Sequence, residues 1–469
     1  MFVTYHACLE KQSSQKVLVM LHDIAISPTT FYRLVGEDVF FANPRSGAAV
    51  VVNNGRVLLD TLTRTFQPIK SVFAKIAADC NIAIKDADDD FRPLIKELLD
   101  EGLLYTPETN NLDRNGRIIS PLQREVSSSN LLQKGDPVGN FYRERKLPLA
   151  LHIDITASCT ERCVHCYLPD YPQKNLEELL VEKAVREFRE MGGYVVYISG
   201  GECMLHPQFK QILRLCRELD LNIIILSNLT LCDAEMVTFL KEISPQYINV
   251  SLYSMKPEEH DSITSISGSC EKTKDAILRC LDAGINVRVA APLLKINKHA
   301  FKGLKDFTDK HNMHLVPDFG IVAKCNHDKS NIRYACSGEE LENVLRENRD
   351  IFDMGWAKTH LCEPDETMCD IGVYRLHLNA RGDYYPCPSM YGYVLGNVRT
   401  STVGDVWRGE KLDYLRSLRW KDLEKCSTCA HRTFCEPCVA YNFNASGDLF
   451  KIIPEKCRIG LAVHRVYGA

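Results

Sequence analysis

One nine-residue stretch constrains this chain more than any other. Residues 159–167 read Cys-Thr-Glu-Arg-Cys-Val-His-Cys-Tyr, so three cysteines follow one another with the spacing C-x3-C-x2-C. The stretch comes directly after an apolar run at residues 149–155. Thiolates at this spacing in a loop can converge on one iron–sulfur cluster, because soft sulfur ligands select such metals. The loop supplies three ligands for four irons, which leaves one iron open to a chelating cofactor.

The triplet, with an aromatic His165 before its third cysteine, resembles the signature of the radical S-adenosylmethionine (SAM) enzymes. A second motif agrees with this resemblance. A predicted strand at residues 194–199 runs into Gly200, Gly201 and Glu202, which resemble the GGE motif that holds the methionine amino group of SAM in that family. A lone GGE is usually a turn after a strand, but here it follows the triplet by one helix-length segment, as the family requires.

Composition narrows the class of protein. A length of 469 residues favours two to four domains. The net charge of −4 argues against a nucleic-acid partner. The sequence has no run of roughly eighteen apolar residues and no secretion signal, which predicts a cytoplasmic protein with no membrane segment. Disulfides are rare in the cytoplasm, so the twenty cysteines indicate metal or redox use.

The N-terminal segment, residues 1–106, predicts a small domain. Two strands and three helices are predicted, at residues 38–42, 48–52, 55–64 and 69–80 and from the acidic cluster 86–90 to Gly102. This order indicates a winged-helix-like unit. A DNA-binding role is disfavoured, because the third helix contains Glu97, Asp100 and Glu101 where a recognition helix would be basic.

Ahead of a peptide-modifying enzyme, this domain resembles the PqqD-like leader-peptide recognition element. In that family an exposed strand edge accepts the leader of a precursor peptide as an added strand. The following residues, 107–146, are polar and rich in turn formers, which predicts a linker.

Strands and helices alternate through residues 147–349. Six strands are predicted, at residues 151–156, 194–199, 222–227, 247–253, 286–293 and 314–321. Such βα repeats predict an α/β fold with a parallel sheet, and the resemblance implies a partial (β/α)6 radical SAM barrel with its chemistry at the C-terminal strand ends. By the same resemblance the residues that bind SAM are Gly200, Gly201, Glu202, Asn228 and Ser251. Asn228 and Ser251 fit equally well as ordinary polar residues of strand ends.

Residues 350–469 contain the densest cysteine array. Its members are Cys362, Cys369, Cys387, Cys426, Cys429, Cys435, Cys438 and Cys457. A zinc ribbon would use four ligands and would leave Cys369, Cys387 and Cys457 unexplained. The order resembles the SPASM domain, which holds two auxiliary 4Fe–4S clusters, although the spacing before Cys438 is two residues where three are usual.

The resemblance also assigns ligands within this array. It implies that Cys369, Cys387 and Cys438 bind the inner auxiliary cluster. The outer cluster then takes Cys426, Cys429, Cys435 and Cys457. Cys362 is positioned to be the fourth inner ligand; if it is not, an iron stays open for a substrate thiolate. Together with the SAM-binding cluster, three 4Fe–4S clusters are expected.

The whole arrangement is similar to the sactipeptide and ranthipeptide thioether synthases. It implies a maturase of a ribosomally made precursor peptide, in which a 5′-deoxyadenosyl radical abstracts hydrogen and a thioether or another crosslink forms. The expected partners are the precursor peptide, held by its leader on the N-terminal domain, and an electron donor such as flavodoxin or ferredoxin. No catalytic acid or base is identified, and Cys203, Cys325 and Cys336 are interpreted as bystander thiols.

Two alternatives stay open. One is a radical SAM/SPASM enzyme that forms carbon–carbon or carbon–oxygen links, or that oxidises a residue of a folded protein as a sulfatase maturase does. An enzyme of the sulfatase-maturase type would not need residues 31–106. The other alternative is non-enzymatic: an iron–sulfur electron carrier or a zinc-dependent peptide-binding module. The GGE motif after the triplet argues against both non-enzymatic forms.

Overall fold

The computed structural model describes residues 23–27, 30–43, 48–107, 137–168, 170, 172, 174–352, 363–367, 369–435 and 437–468. The chain divides into two units, Met1–Leu147 and Pro148–Ala469. Among the described residues, no helix combines the length and the apolar character that a bilayer crossing needs.

The described part of the first unit contains two antiparallel sheets and four helices. Its strands are β1 (Asp23–Ile26), β2 (Phe31–Val35), β3 (Asp38–Asn43), β4 (Ala48–Val52), β5 (Gln67–Pro68) and β6 (Leu104–Tyr105). Its helices are α1 (Arg56–Thr61), α2 (Ile69–Cys80), α3 (Ile84–Asp100) and α4 (Pro137–Glu144). One sheet has the order β2-β3-β4 and the other β5-β1-β6. The predicted strands at 38–42 and 48–52 are present, whereas β1 and β2 had no clear sequence signal.

The apolar side of helix α3 contributes to the hydrophobic core of the first unit. Its apolar side chains recur at helical spacing, and Leu94, Ile95 and Leu98 are buried in the core of the unit. The helix begins at Ile84, ahead of the acidic cluster, and Asp86 lies in its first turn, where a carboxylate stabilises the helix N-terminus. The prediction that this unit is a winged helix remains a prediction.

Helix α4 lies inside the segment predicted as a linker. The ring of Phe40 on β3 contacts Phe141 at 5.3 Å and Tyr142 at 5.6 Å between centroids. The two α4 rings are fully or nearly fully buried. Residues 137–144 are therefore part of the first unit, and residues 108–136 of the predicted linker lie outside the described residues.

The second unit begins with six strands that alternate with helices. The strands are β7 (Ala150–Thr156), β8 (Val195–Gly200), β9 (Asn222–Ser227), β10 (Tyr247–Ser251), β11 (Val287–Pro292) and β12 (His314–Asp318). The helices are α5 (Glu178–Glu190), α6 (Phe209–Glu218), α7 (Ala234–Ile243), α8 (Pro257–Thr264), α9 (Ser269–Asp282), α10 (Phe301–Lys310) and α11 (Gly338–Glu347). The strands pair in parallel in the order β12-β11-β10-β9-β8-β7. This confirms the predicted α/β fold with a parallel sheet.

Strand β7 presents two different faces. Leu151, Ile153 and Ile155 belong to the large apolar core that also contains the buried side of α5. Because side chains alternate along a strand, His152 and Asp154 point to the opposite face of the sheet. The apolar face anchors the strand, and the polar face is free for chemistry.

The C-terminal part of the second unit extends the same sheet. Strand β13 (Arg375–Leu378) pairs in parallel with β7, and β14 (Asp383–Tyr385) and β15 (Gly396–Asn397) follow as antiparallel strands. Short helices complete this part: α12 (Val403–Trp407), α13 (Glu410–Ser417), α14 (Glu424–Ser427), α15 (Val439–Ser446) and α16 (Pro454–Tyr467). The parallel β7–β13 pairing was not predicted, because it joins residues more than two hundred positions apart.

Candidate active site

One cavity brings the cysteine triplet together with the C-terminal strand ends. Its volume is about 240 Å³, and its walls include Cys159, Cys163, Cys166, Ser199, Gly200, Gly201, Ser227, Asn228, Asn249 and Ser251. Four of the five residues predicted to bind SAM therefore line one cavity with all three cysteines. This first cavity lies at the strand ends where α/β folds of this kind carry their chemistry.

The cysteine loop is fixed by backbone hydrogen bonds. The N–H of Arg162 donates to the carbonyl of Thr264 at 2.8 Å, and the N–H of Val164 donates to Ile263 at 2.9 Å. Both carbonyls lie at the C-terminal end of α8, where helix carbonyls have no partner within the helix. The end of α8 thus holds the middle of the loop in place.

Asn228 fixes the same loop from a second side. Its side-chain amide donates to the Thr160 hydroxyl at 2.9 Å, and its carbonyl oxygen accepts from the Thr230 hydroxyl at 2.8 Å. Both ends of the Asn228 side chain are therefore engaged within the protein. The geometry gives Asn228 a positioning role toward the loop, in addition to its place on the cavity wall.

The two glycines of the GGE motif allow a close approach of two chain segments. A Cβ atom at Gly200 would lie 2.3 Å from the carbonyl oxygen of Thr156, and one at Gly201 would lie 2.3 Å from that of Ser158. Gly200 also has a φ of +146°, a conformation that residues with a Cβ rarely adopt. The motif therefore needs glycine to bring the end of β8 against the segment that leads into Cys159.

Glu202 is the fifth residue predicted to bind SAM, and this role remains a prediction. The residue is fully buried and is not among the residues that line the first cavity. Its carboxylate accepts hydrogen bonds from the Ser227 hydroxyl at 2.9 and 3.0 Å and from the Asn228 N–H at 2.8 Å. Burial raises the pKa of Glu202 above its ordinary value, against the opposing effect of these bonds. In this geometry Glu202 ties the end of β9 to the GGE turn.

Glu161 is a site residue that the sequence reading missed. It lies inside the cysteine triplet, lines the first cavity and approaches the Cys163 thiol at 3.5 Å. Burial raises the pKa of Glu161 to about 7. His165 lines the same cavity, and burial lowers its pKa to about 4, so the ring is neutral. Both residues lie between the cysteines of the triplet, and the cysteine spacing alone does not indicate that Glu161 lines the site.

The donor set of the loop fits an iron–sulfur cluster. Three thiols line the first cavity, and burial raises the pKa of Cys159 to about 12, so a thiolate there requires a compensating cation. Three thiols at one cavity are the soft donor set that iron–sulfur clusters take.

The C-terminal cysteines fall into two groups. Cys387 lies close enough to Cys369 and Cys438 for their charges to raise the pKa of its thiol, after the larger effect of burial. Cys435 is related in the same way to Cys426, Cys429 and Cys457. The two groups have the same members as the two predicted ligand sets, apart from Cys362, and their role as cluster ligands remains a prediction. Cys362, the remaining predicted ligand, lies outside the described residues.

Local structure supports the second of these groups. Cys457 lies on α16, and Gly460 of the same helix packs against Cys435. A Cβ atom at Gly460 would lie 3.1 Å from the Cys435 sulfur. The glycine therefore lets α16 approach the chain segment from α14 to Cys435, which contains the other three cysteines of this group.

A second cavity adjoins the first. Its volume is about 320 Å³, and it shares Leu168 and Gly200 with the first cavity. Asp154, Tyr385 and Tyr391 line it. The Tyr391 hydroxyl donates to an Asp154 oxygen at 2.5 Å, and its own ring contacts Tyr167 at 5.0 Å between centroids. These aromatic and acidic residues carried no recognisable motif.

Two histidines surround Asp154. The pKa of Asp154 is held well below its ordinary value, because His377 and His152 outweigh the effect of burial. His377 donates to one oxygen of Asp154 at 2.8 Å, and His152 lies 3.4 Å from the other oxygen. Burial lowers the pKa of His152, which favours a neutral ring.

The three thiols interpreted as bystanders occupy different places. Cys203 is fully buried and Cys336 nearly so, whereas Cys325 is half-buried and lines the second cavity. Burial raises the pKa of each thiol, which keeps it protonated.

Comparisons with known proteins agree with this geometry. The profile of the Radical SAM superfamily matches residues 153–308, and that of SPASM, described as an iron–sulfur cluster-binding domain, matches residues 369–430. The first match contains the cysteine triplet and the strand ends that line the first cavity, and the second contains four of the eight C-terminal cysteines. These domains imply SAM and iron–sulfur clusters.

Individual relatives carry different names. The antilisterial bacteriocin subtilosin biosynthesis protein AlbA of Bacillus subtilis is 31% identical over 65% of this chain and 70% of its own length. The AdoMet-dependent heme synthase of Methanosarcina barkeri is 24% identical over 66% of this chain and 95% of its own length.

A solved structure shares the fold over most of the chain. Streptococcus suis SuiB bound to its precursor peptide SuiA matches with a TM-score of 0.59 and 17% identity, over 92% of this chain and 99% of SuiB. The likeness extends beyond the residues that the two profiles match. The cysteine triplet, the strand-end cavity, the two profiles and the similarity to AlbA lead to one conclusion: this chain belongs to the radical SAM superfamily and carries a SPASM iron–sulfur cluster-binding domain.

Proposed function

We propose that this protein is a radical SAM maturase that installs thioether crosslinks in a ribosomally made precursor peptide. The observation that carries this proposal is the 31% identity to a relative named as a bacteriocin biosynthesis protein. The fold likeness to SuiB, whose structure contains a precursor peptide, supports it. Carbon–carbon or carbon–oxygen links remain the alternative products.

The proposed roles of the cysteines follow their grouping. Cys159, Cys163 and Cys166 would hold the cluster that binds SAM, and the two C-terminal groups would hold auxiliary clusters. SAM and its cluster, when bound, would supply a 5′-deoxyadenosyl radical for hydrogen abstraction from an unactivated carbon. Gly200, Gly201 and Ser251, which line the first cavity, would contact SAM.

Other residues position the cysteine loop and the GGE turn around the first cavity. Asn228 and the end of α8 hold the cysteine loop, so the three thiols keep one arrangement as reactants bind. Glu202 stabilises the GGE turn, whose two glycines line the first cavity.

We further propose that residues 31–106 recognise the leader of the precursor. The sheet β2-β3-β4 has two edge strands, β2 and β4, and an extended peptide can add to such an edge. Leader capture would raise the effective concentration of the core peptide at the cavity. An electron donor such as flavodoxin or ferredoxin would reduce the SAM-binding cluster.

A second candidate function has its own support. A relative named as a heme synthase aligns over 95% of its own length, so a porphyrin substrate is the competing hypothesis. Its alignment covers 66% of this chain, whereas the SuiB fold covers 92%. The greater coverage favours the peptide substrate.

Mass spectrometry of a precursor peptide tests the proposed function. The probe is the product of a short cysteine-containing reading frame beside the gene, incubated without oxygen with the reconstituted protein, SAM and dithionite. We expect a loss of two hydrogens per crosslink and a matching loss of free thiols. Hydrogen loss with every thiol free would mean another bond type. Turnover of an iron porphyrin, with the peptide unchanged, would refute the peptide hypothesis.

A further inference from the structure

The cluster formed by His152, Asp154 and His377 contains no cysteine and shares no residue with the predicted iron–sulfur ligands. His152 and Asp154 are on β7, and His377 on β13 is the register partner of His152. One ring nitrogen from each histidine and one carboxylate oxygen lie within 4.8 Å of one another. All three residues are buried, and both strands belong to one continuous sheet. Two adjacent parallel strands therefore hold three ligand-type atoms in a rigid arrangement.

Hydrogen bonds do not satisfy all the polar atoms of this cluster. One oxygen of Asp154, Oδ2, accepts from both His377 and Tyr391. The other oxygen, Oδ1, is buried with no hydrogen-bond partner, and so is Nδ1 of His377. Oδ1 faces Nε2 of His152 at 3.4 Å, in the centre of the cluster. A buried carboxylate oxygen without a partner is costly, and a bound cation would offset that cost.

We propose that His152, Asp154 and His377 form a binding site for a divalent first-row transition-metal ion, separate from the iron–sulfur sites. Two imidazoles and one carboxylate are the ligand set that binds Fe²⁺, Zn²⁺ or Mn²⁺, and they lack the thiolates that select clusters. Three protein ligands leave coordination positions open, as in catalytic rather than structural metal sites.

One residue of the cluster borders a space that can hold a ligand. Asp154 lines the second cavity, of about 320 Å³, which adjoins the cavity of the cysteine triplet through Gly200 and Leu168. Water, or a thiolate or carbonyl oxygen of a bound molecule, can complete the coordination from there. The site does not depend on the proposed peptide substrate and would serve any molecule that enters the second cavity.

A hydrogen-bonded network without a metal is the competing explanation. In that case His377 and Tyr391 only hold the Asp154 carboxylate, and no ion binds. The two explanations differ in what the imidazoles do. A glutamine in place of a histidine retains a hydrogen-bond donor, but it removes a good metal ligand.

Titration with Mn²⁺ separates these explanations. The full chain, reconstituted with its clusters in the oxidised state and passed through a chelator column, is titrated with Mn²⁺ alone and followed by electron paramagnetic resonance. We expect one strong Mn²⁺ site per chain. His377→Gln and, separately, His152→Gln should each weaken it at least about tenfold, because one ligand is lost.

Tyr385→Phe is the matched control. Tyr385 lines the same cavity, but its hydroxyl bonds with Asn379 and not with the cluster. Mn²⁺ affinity should therefore stay at the wild-type value. Cluster absorption and thermal unfolding identify any variant that fails to fold. Wild-type protein without a strong Mn²⁺ site, or equal affinity in a folded histidine variant, would overturn the proposal.

Discussion

At several positions of this site, backbone contacts restrict which residue type can be present as strongly as the chemistry does. Gly200 combines a φ of +146° with a carbonyl oxygen 2.3 Å from where its Cβ would lie. Two positions further on, the Glu202 carboxylate accepts hydrogen bonds from the Ser227 hydroxyl and the Asn228 N–H. Both residues shape the turn beside the cysteine loop. The GGE motif therefore has a largely structural role, which is to hold the end of β8 beside the cysteine loop.

Gly200→Ala should damage the site and the fold together. The strained backbone alone costs about 1–3 kcal/mol, and the clash with Thr156 adds to it. We expect a loss of at least about 2 kcal/mol in unfolding free energy and a loss of SAM affinity, measured by urea unfolding and equilibrium dialysis. Gly303→Ala on α10 is the control, because its nearest neighbour would be Met255 at 3.7 Å. Wild-type SAM affinity in Gly200→Ala would contradict this reading of the turn.

Among the described helices of the second unit, α7, α11 and α12 begin with an N-cap side chain that accepts a hydrogen bond from the helix backbone. Helix α11 starts at a capping box, in which the Ser337 hydroxyl accepts from the Glu340 N–H and the Glu340 carboxylate accepts from the Ser337 N–H. Lys298 adds a hydrogen bond to the same carboxylate at 2.9 Å. The buried side of α11, including Leu341 and Val344, joins the core of the sheet.

The capping box predicts a specific response to acid. The hydrogen bond from the Ser337 N–H, with the Lys298 ammonium, lowers the pKa of Glu340 to about 2 from 4.5. A lowered folded-state pKa means that this stabilisation is present above pH 4.5 and is lost as the pH falls toward 2. Glu340→Gln should lose part of that pH dependence in urea unfolding.

Glu347→Gln provides the control for this titration. It removes a carboxylate from the exposed far end of α11 and leaves the capping box intact. That variant should retain the acid-dependent loss that Glu340 causes. Equal acid profiles for Glu340→Gln and the wild type would show that the box has no such role.

The elements also show what a sequence can and cannot reveal. The six strands β7–β12 were predictable, because each is a short apolar run between amphipathic helices. The convergence of the three triplet cysteines on one cavity was predictable from their spacing. The cluster of His152, Asp154 and His377 was not, because a pairing of β7 with the distant β13 creates it. Helix α4 was not predicted, because it is only eight residues long and directly follows a polar segment that is rich in turn formers.

At the scale of the whole molecule, one unit carries the radical chemistry and the other is proposed to select the substrate. The second unit contains both profile matches and every predicted cluster cysteine. The first unit contains the two small sheets and Cys80, an exposed cysteine outside every predicted ligand set. Cys80 therefore provides an internal comparison for substitutions in the triplet.

Formation of 5′-deoxyadenosine from SAM would show whether the cysteine triplet holds a cluster that cleaves SAM. The reconstituted full chain, with SAM and dithionite and without oxygen, should produce it, as chromatography would show. Cys163→Ser should abolish the product because the triplet loses a ligand, and Cys80→Ser should retain wild-type production. No 5′-deoxyadenosine from the wild type, or equal amounts from Cys163→Ser, would contradict the account of this site.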